Sequence, residues 1–207
     1  MKTPPADTSP SVQRVVLTGG IATGKSYTLQ RFAGLGAPTC DADEVARAVQ
    51  APNGPAWSGL RDRFGPTVFD TSGHLDRRAL GTVVFGDPQA LADLNALVHP
   101  HVRRSIETWL DSLAPDSGPA VVAIPLFFEG DRTQAFDRVV VTACDLQTQV
   151  ARVVERGFTE EEARQRIAAQ LPTDEKVRRA NHVVWTDRTF ADTDRQIDDV
   201  WTALRQG

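Results

Sequence analysis

The stretch VVLTGGIATGKSYTLQRF, residues 15–32, decides how this chain is read. Gly19, four residues, then Gly24-Lys25-Ser26 fits G-x-x-x-x-G-K-[ST] without a gap. Each residue type in the pattern has a physical job. Residues 15–17 are apolar and predict a short buried strand. Glycines let the backbone turn so tightly that successive N–H groups converge on one anion. Over 25–35, apolar and small residues recur at helical spacing, and the N-terminus of such a helix brings the positive end of its dipole to the anion. Lys25 can then reach the β and γ phosphates of a nucleoside triphosphate, and the Ser26 hydroxyl can ligate the Mg²⁺ that bridges them. The expected nucleotide-binding residues are Gly19, Gly20, Ile21, Ala22, Thr23, Gly24, Lys25, Ser26 and Tyr27. Lysine is scarce: of 23 basic residues only Lys2, Lys25 and Lys176 are lysines, and one of them stands where the pattern requires it.

Outward from this loop, strand-like runs occur at 15–17, 38–41, 121–124, 138–142 and 182–185, with helical patterns between them. Strands alternating with helices predict an α/β fold with a five-stranded parallel sheet flanked by helices. The stretch 43–114 reads as several helices, punctuated at Pro52-Asn53-Gly54-Pro55, Gly65-Pro66, Asp87-Pro88 and His99-Pro100. A second helical excursion, 142–181, carries Arg152, Arg156, Arg164 and Arg166. The last helix, 190–204, is amphipathic and is expected to pack on the sheet.

At 207 residues the chain is long enough for one domain that buries about 70% of its unfolded surface without staples. The net charge of −4 and the lack of any basic run speak against a nucleic-acid partner. Cys40 and Cys144 lack metal-ligand spacing and read as small buried residues. No run is long and apolar enough to span a membrane. The opening MKTPPADTSPS is too polar for a signal peptide and reads as part of a disordered tail, 1–13, which makes the cytoplasm the default location. A monomer or small homo-oligomer is expected.

A phosphate loop serves GTPases, motor ATPases and small-molecule kinases. The N-K-x-D element that reads guanine is missing, and Asp70-Thr71-Ser72-Gly73, a match to D-x-x-G, follows no apolar strand and reads as a turn. Large ATPases need an apolar strand ending in Asp, but 121–124 runs into Pro125, with Glu129 four residues after that proline. That favours a small kinase. Asp41 and Asp43 follow the second strand, where ligand crevices open in α/β sheets; either one can orient an attacking hydroxyl, or both can cap the next helix. Arg152 and Arg156 lie one helical turn apart and share a face, either bridging phosphate oxygens or facing solvent.

Beyond the loop, the segments LTGGIATGKS, CDADEVAR at 40–47, HLDRRALGTVVF at 74–85, LVHPHV at 97–102, IPLFFE at 124–129, DRVVVTA, QTQVARVVER at 147–156 and RIAAQ at 166–170 appear in an order that resembles the dephospho-coenzyme A kinase family. The resemblance covers about 14–204. It implies a P-loop nucleoside triphosphate hydrolase fold forming a single domain over 14–207: a core of 14–42, 119–145 and 180–207, a helical CoA-binding region at 43–118 and a lid at 146–179. It implies transfer of the γ-phosphate of ATP, with Mg²⁺, to the ribose 3′-hydroxyl of dephospho-CoA. It makes Asp43 the better candidate base, with Asp41 in support, and Lys25, Arg152 and Arg156 its catalytic cations. It puts Thr18, Asp41, Arg47, Arg77, His99, Arg103 and Glu129 on the acceptor side. Departures from the family pattern stand at Ala22, where Gly is usual, and at Tyr27, Asn181 and Thr186-Asp187. A kinase for another nucleotide-like acceptor and a non-catalytic nucleotide-binding protein are the alternatives.

Overall fold

The chain is described by a computed structural model over residues 12–130 and 136–206. Its sheet comprises β1 (Arg14–Gly19), β2 (Thr39–Asp41), β3 (Ala120–Ala123), β4 (Arg138–Ala143) and β5 (His182–Trp185) in the order β2-β3-β1-β4-β5. β1 lies at the centre and pairs in parallel with β3 and β4, and β4 pairs in parallel with β5. Both faces of β1 are covered, so it reads as an unbroken apolar run: Val15, Val16 and Leu17 are all buried. One face receives α1 (Lys25–Gly34) and α9 (Phe190–Gln206). There Phe32 of α1 and Trp201 of α9 stand with ring centroids 6.2 Å apart, among Ile197, Val200 and Leu204. Arg31 adds a two-pronged contact to Asp198, at 2.9 and 3.1 Å. All five strands stand where the hydrophobic runs put them. Two residues of the expected tail 1–13 are instead part of the fold: Val12 is buried and the Gln13 carbonyl accepts from the Ala120 amide at 2.9 Å. Its residues 1–11 lie outside the described residues.

The chain divides into two compact units. One comprises the sheet, with the chain up to Cys40 and from Ser112 on; the other is Asp41–Asp111. The second unit is built on one long helix, α5 (Pro88–Asp111), against which α2 (Ala42–Gln50), α3 (Trp57–Phe64) and α4 (Arg77–Phe85) pack. Asp87-Pro88 is a true helix start. The Asp87 carboxylate accepts from the amides of Gln89 and Ala90, and Pro88 has no N–H to leave unsatisfied. His99-Pro100 is not a start, contrary to the sequence reading. α5 runs through Pro100, because Val98, Val102, Ile106 and Leu110 form one continuous buried stripe. That stripe outweighs the roughly 3 kcal/mol an interior proline costs. Asp70–Gly73 is a turn, as its sequence implied: the Asp70 carboxylate accepts from the amides of Ser72 and His74.

In the first unit, the segment after β4 forms α6 (Leu146–Glu155), α7 (Glu160–Ala168) and α8 (Thr173–Arg178). Asp145 caps α6 through the Thr148 amide, and Thr159 with Glu162 closes a capping box on α7. Lys176 of α8 is 1% exposed and lies 2.9 Å from the Glu129 carboxylate, a contact made by charge and proximity rather than by an aligned hydrogen bond. Glu129, in the short 3-10 turn Phe127–Glu129, also accepts from the Leu171 amide at 2.9 Å. Burial pushes the Glu129 carboxyl upward, but the ammonium and the amide outweigh it and hold the carboxyl below its ordinary 4.5. A lowered folded-state value means that this pair stabilises fully above about pH 4.5 and fades as the pH falls through the lowered value. Lys176→Met leaves the carboxylate without its cation. Thermal unfolding at pH 7 is expected to fall by roughly 10 °C, about 3 kcal/mol, and the gap from wild type should narrow as the pH is taken below the ordinary carboxylate range.

Candidate functional site

Between β1 and α1 the loop 19–26 is held from outside by its carbonyls. Gln149 Nε2 donates to Ile21 O at 2.8 Å, Arg152 Nη1 to Ala22 O at 3.2 Å, and Thr186 Oγ1 to Thr23 O at 3.0 Å. Thr23 Oγ1 closes on Gly20 O at 2.9 Å and meets Thr142 Oγ1 at 2.8 Å. In a trans peptide the N–H of the next residue points opposite to the C=O. Anchoring the carbonyls of Ile21 and Thr23 outward therefore turns the amides of Ala22 and Gly24 inward. The amides of Lys25, Ser26 and Tyr27 continue the set, since the first turn of a helix leaves its donors without intrahelical partners. The backbone there is left-handed at Gly24, φ 88°, and at Ala22, φ 60°. No acidic residue occupies the first turn of α1, so no side chain of that turn offsets the positive end of its dipole. The Lys25 ammonium and the exposed Ser26 hydroxyl stand at the same terminus, and among the described residues no carboxylate pairs with Lys25. The arrangement is a one-sided nest of donors plus one cation, the chemistry of a phosphate site.

Arg152 and Arg156 have separate circumstances. The Arg152 guanidinium is tied to Ala22 O, to Thr186 Oγ1 at 2.9 Å and to Thr186 O, bracing the loop against the turn after β5. Arg156, at the C-terminus of α6, is exposed and its guanidinium has no partner among the described residues. Tyr27 donates its hydroxyl to Asp194 at 2.7 Å and faces Phe190 with ring centroids 5.1 Å apart. Thr18 is fully buried at the end of β1, where its carbonyl accepts from Thr142 Oγ1 at 3.3 Å. Asn181 binds both polar main-chain groups of Val139, knitting the start of β5 to β4. Cys144 is buried, and burial pushes its thiol up to about 11, so it is inert.

In the second unit, Asp41 ends β2 and caps α2, its Oδ1 accepting from the Asp43 amide at 2.8 Å. The capping reading therefore holds for Asp41. The Asp43 carboxylate is exposed and holds no partner among the described residues. Arg47 on α2, Arg77 opening α4, and His99 with Arg103 one turn apart on α5 are all exposed. Glu129, in the first unit, is engaged by Lys176 and Leu171 as described above.

A family model described as dephospho-CoA kinase matches residues 13–192, nearly the whole chain. The chain belongs to the dephospho-CoA kinase family. Among its relatives is a dephospho-CoA kinase from Geobacillus kaustophilus, 43% identical over 195 residues that cover 92% of this chain and 97% of the relative. Two solved structures are also similar. The Thermus thermophilus protein TT1252 is 33% identical with a TM-score of 0.80, and the dephospho-CoA kinase from Campylobacter jejuni is 26% identical with a TM-score of 0.73; each match covers 94% of this chain and 98% of the other. The sheet, the loop and the flanking helices make this a P-loop kinase fold. Among the described residues no helix is long and apolar enough to cross a membrane.

The sequence motifs do not announce the layer behind the loop, Thr142, Gln149 and Gln170, nor the pairing of Lys176 with Glu129. One signal was available. Gln149 precedes Val150 and stands four residues before Val153, and all three are buried. A glutamine on the buried side of an amphipathic helix calls for a partner.

Proposed function

We propose that this chain transfers the γ-phosphate of ATP to the ribose 3′-hydroxyl of dephospho-CoA, giving coenzyme A and ADP. Membership of the dephospho-CoA kinase family over residues 13–192 carries the reading, and the donor nest at 19–26 supplies its chemistry. ATP is the co-substrate. The inward amides and Lys25 would hold its β and γ phosphates, so that negative charge shifting toward the leaving oxygen meets donors already in place. Ser26 suits Mg²⁺: it offers one exposed hydroxyl, and this ion takes few protein ligands and draws the rest from phosphate and water. Bound there, Mg²⁺ would neutralise phosphate charge.

On the acceptor side, Asp43 is the residue to accept a hydrogen bond from the 3′-hydroxyl and take its proton. Its carboxylate has no partner among the described residues, whereas Asp41 is committed to the helix cap. Arg47, Arg77, His99 and Arg103 offer exposed positive or polar groups for a substrate rich in phosphate. Thr18 and Glu129 would serve indirectly, by supporting β1 and the turn after β3. Of the two excursion arginines, Arg156 has a guanidinium unpaired among the described residues and suited to meet the moving phosphoryl group, and Arg152 supports the loop. Arg156→Ala is expected to lower kcat by about 10²-fold with little change in thermal stability; an unchanged kcat would exclude it. The excursion 146–179 as a lid over the nucleotide, and the cytoplasm as the compartment, belong to the same reading.

The direct test is ADP release coupled to added dephospho-CoA. Acceptor-dependent turnover supports the assignment. Phosphate appearing on AMP or CMP and not on dephospho-CoA would mean a different nucleotide kinase, and nucleotide binding without acceptor-dependent ADP release would mean a binding protein.

A further inference from the structure

Two glutamines from the α6–α8 segment grip both main-chain polar groups of Ile21. Gln149, 3% exposed on α6, donates Nε2 to Ile21 O at 2.8 Å. Gln170, just past α7, accepts from Ile21 N on Oε1 at 2.8 Å. Thr173 Oγ1 approaches Gln149 Oε1 at 3.5 Å and fixes which way that amide faces. Room for both amides comes from Gly20, where an added Cβ would stand 2.9 Å from Gln149 Nε2 and 3.4 Å from Gln170 Oε1.

The residue after this grip is strained. Ala22 has φ 60°, a region that an L-residue other than glycine avoids. Rotating the Ile21–Ala22 peptide plane by about 180° would bring Ala22 to a negative φ and relieve that strain. The same rotation would swing Ile21 O into the nest and the Ala22 amide out of it, replacing a donor by an acceptor. The bond from Gln149 to Ile21 O opposes that rotation directly, and the bond from Gln170 to Ile21 N fixes the preceding peptide.

We propose that Gln149 and Gln170 are positioning residues that lock the phosphate loop in its donor-inward form against the relaxation that Ala22 favours. The proposal deepens the kinase reading and rests on it for the identity of the ligand, ATP. Nucleotide affinity is thereby set by α6–α8 side chains rather than by the loop alone.

The test uses Gln149→Met and Gln170→Met, which keep length and bulk but lose the bonds. Both glutamines line a cavity of about 650 Å³ with Ile167 and Thr173, so the methionine chains have room. Affinity for a non-hydrolysable ATP analogue by calorimetry, KM for each substrate and thermal unfolding are measured. Each single variant is expected to weaken the analogue and raise KM for ATP about tenfold, with KM for dephospho-CoA within about twofold. The double variant should be little worse than either single, because both free the same residue. Adding Ala22→Gly to Gln149→Met should restore most of the affinity, since glycine removes the drive to rotate. Analogue affinity within about twofold of wild type in both single variants, or no recovery with Ala22→Gly, overturns the proposal. If Gln149→Met does not fold, Gln170→Met with and without Ala22→Gly decides by the same measures. Analogue binding reads the lock whether or not dephospho-CoA proves to be the acceptor, so failure of that assignment would be seen separately.

Discussion

Lys25→Ala is expected to lower kcat/KM for ADP release by on the order of 10³-fold, about 4 kcal/mol of lost transition-state stabilisation. The size follows from the setting. The backbone amides of the nest are fixed dipoles, and Lys25 adds a full positive charge in the first turn of α1. Folding has little stake in it. The ammonium has no partner among the described residues, and alanine is a better helix former than lysine. Thermal unfolding should therefore stay within about 2 °C of wild type, and activity and stability should separate. A variant that keeps more than a tenth of wild-type kcat/KM would remove Lys25 from the mechanism.

Asp43→Asn should lower kcat by roughly 10²- to 10⁴-fold while affinity for an ATP analogue stays within about twofold. Asparagine keeps the shape and loses the capacity to take a proton. Because the Asp43 side chain has no partner among the described residues, the loss cannot be ascribed to a contact broken there. The companion Asp41→Asn separates the two acids. Asparagine caps a helix nearly as well as aspartate, so that variant should fold normally and lose much less activity. If Asp43→Asn turns over at near wild-type rate and Asp41→Asn does not, their roles are exchanged.

The strands and the loop were legible because their signals are local. Residues 15–17 are continuously apolar since both faces of β1 are covered, and the glycine-lysine pattern fixes a turn within eight residues. Asp41 was also legible, since an acid at the start of a helical run has few roles. What escaped is set by contacts distant along the chain. Gln170 meets Ile21 across 149 residues, and Glu129 meets Lys176 across the whole of β4 and α6–α7. Nothing in the neighbourhood of either residue announces such a partner. Pro100 misled for the opposite reason: its local signal is strong, but the buried stripe from Val98 to Leu110 overrides it. Arg152 and Arg156 looked equivalent by spacing, and only the placement of Thr186 and the Ala22 carbonyl distinguishes them.

Ala22 has a further consequence. The same methyl group that makes its backbone unfavourable packs against Val150, Val153 and Ala163. With that methyl seated and Ile21 held at both ends by Gln149 and Gln170, the loop admits few shapes. A cradle that has surrendered its freedom during folding has little left to surrender when a triphosphate arrives, so more of the contact energy is retained as affinity.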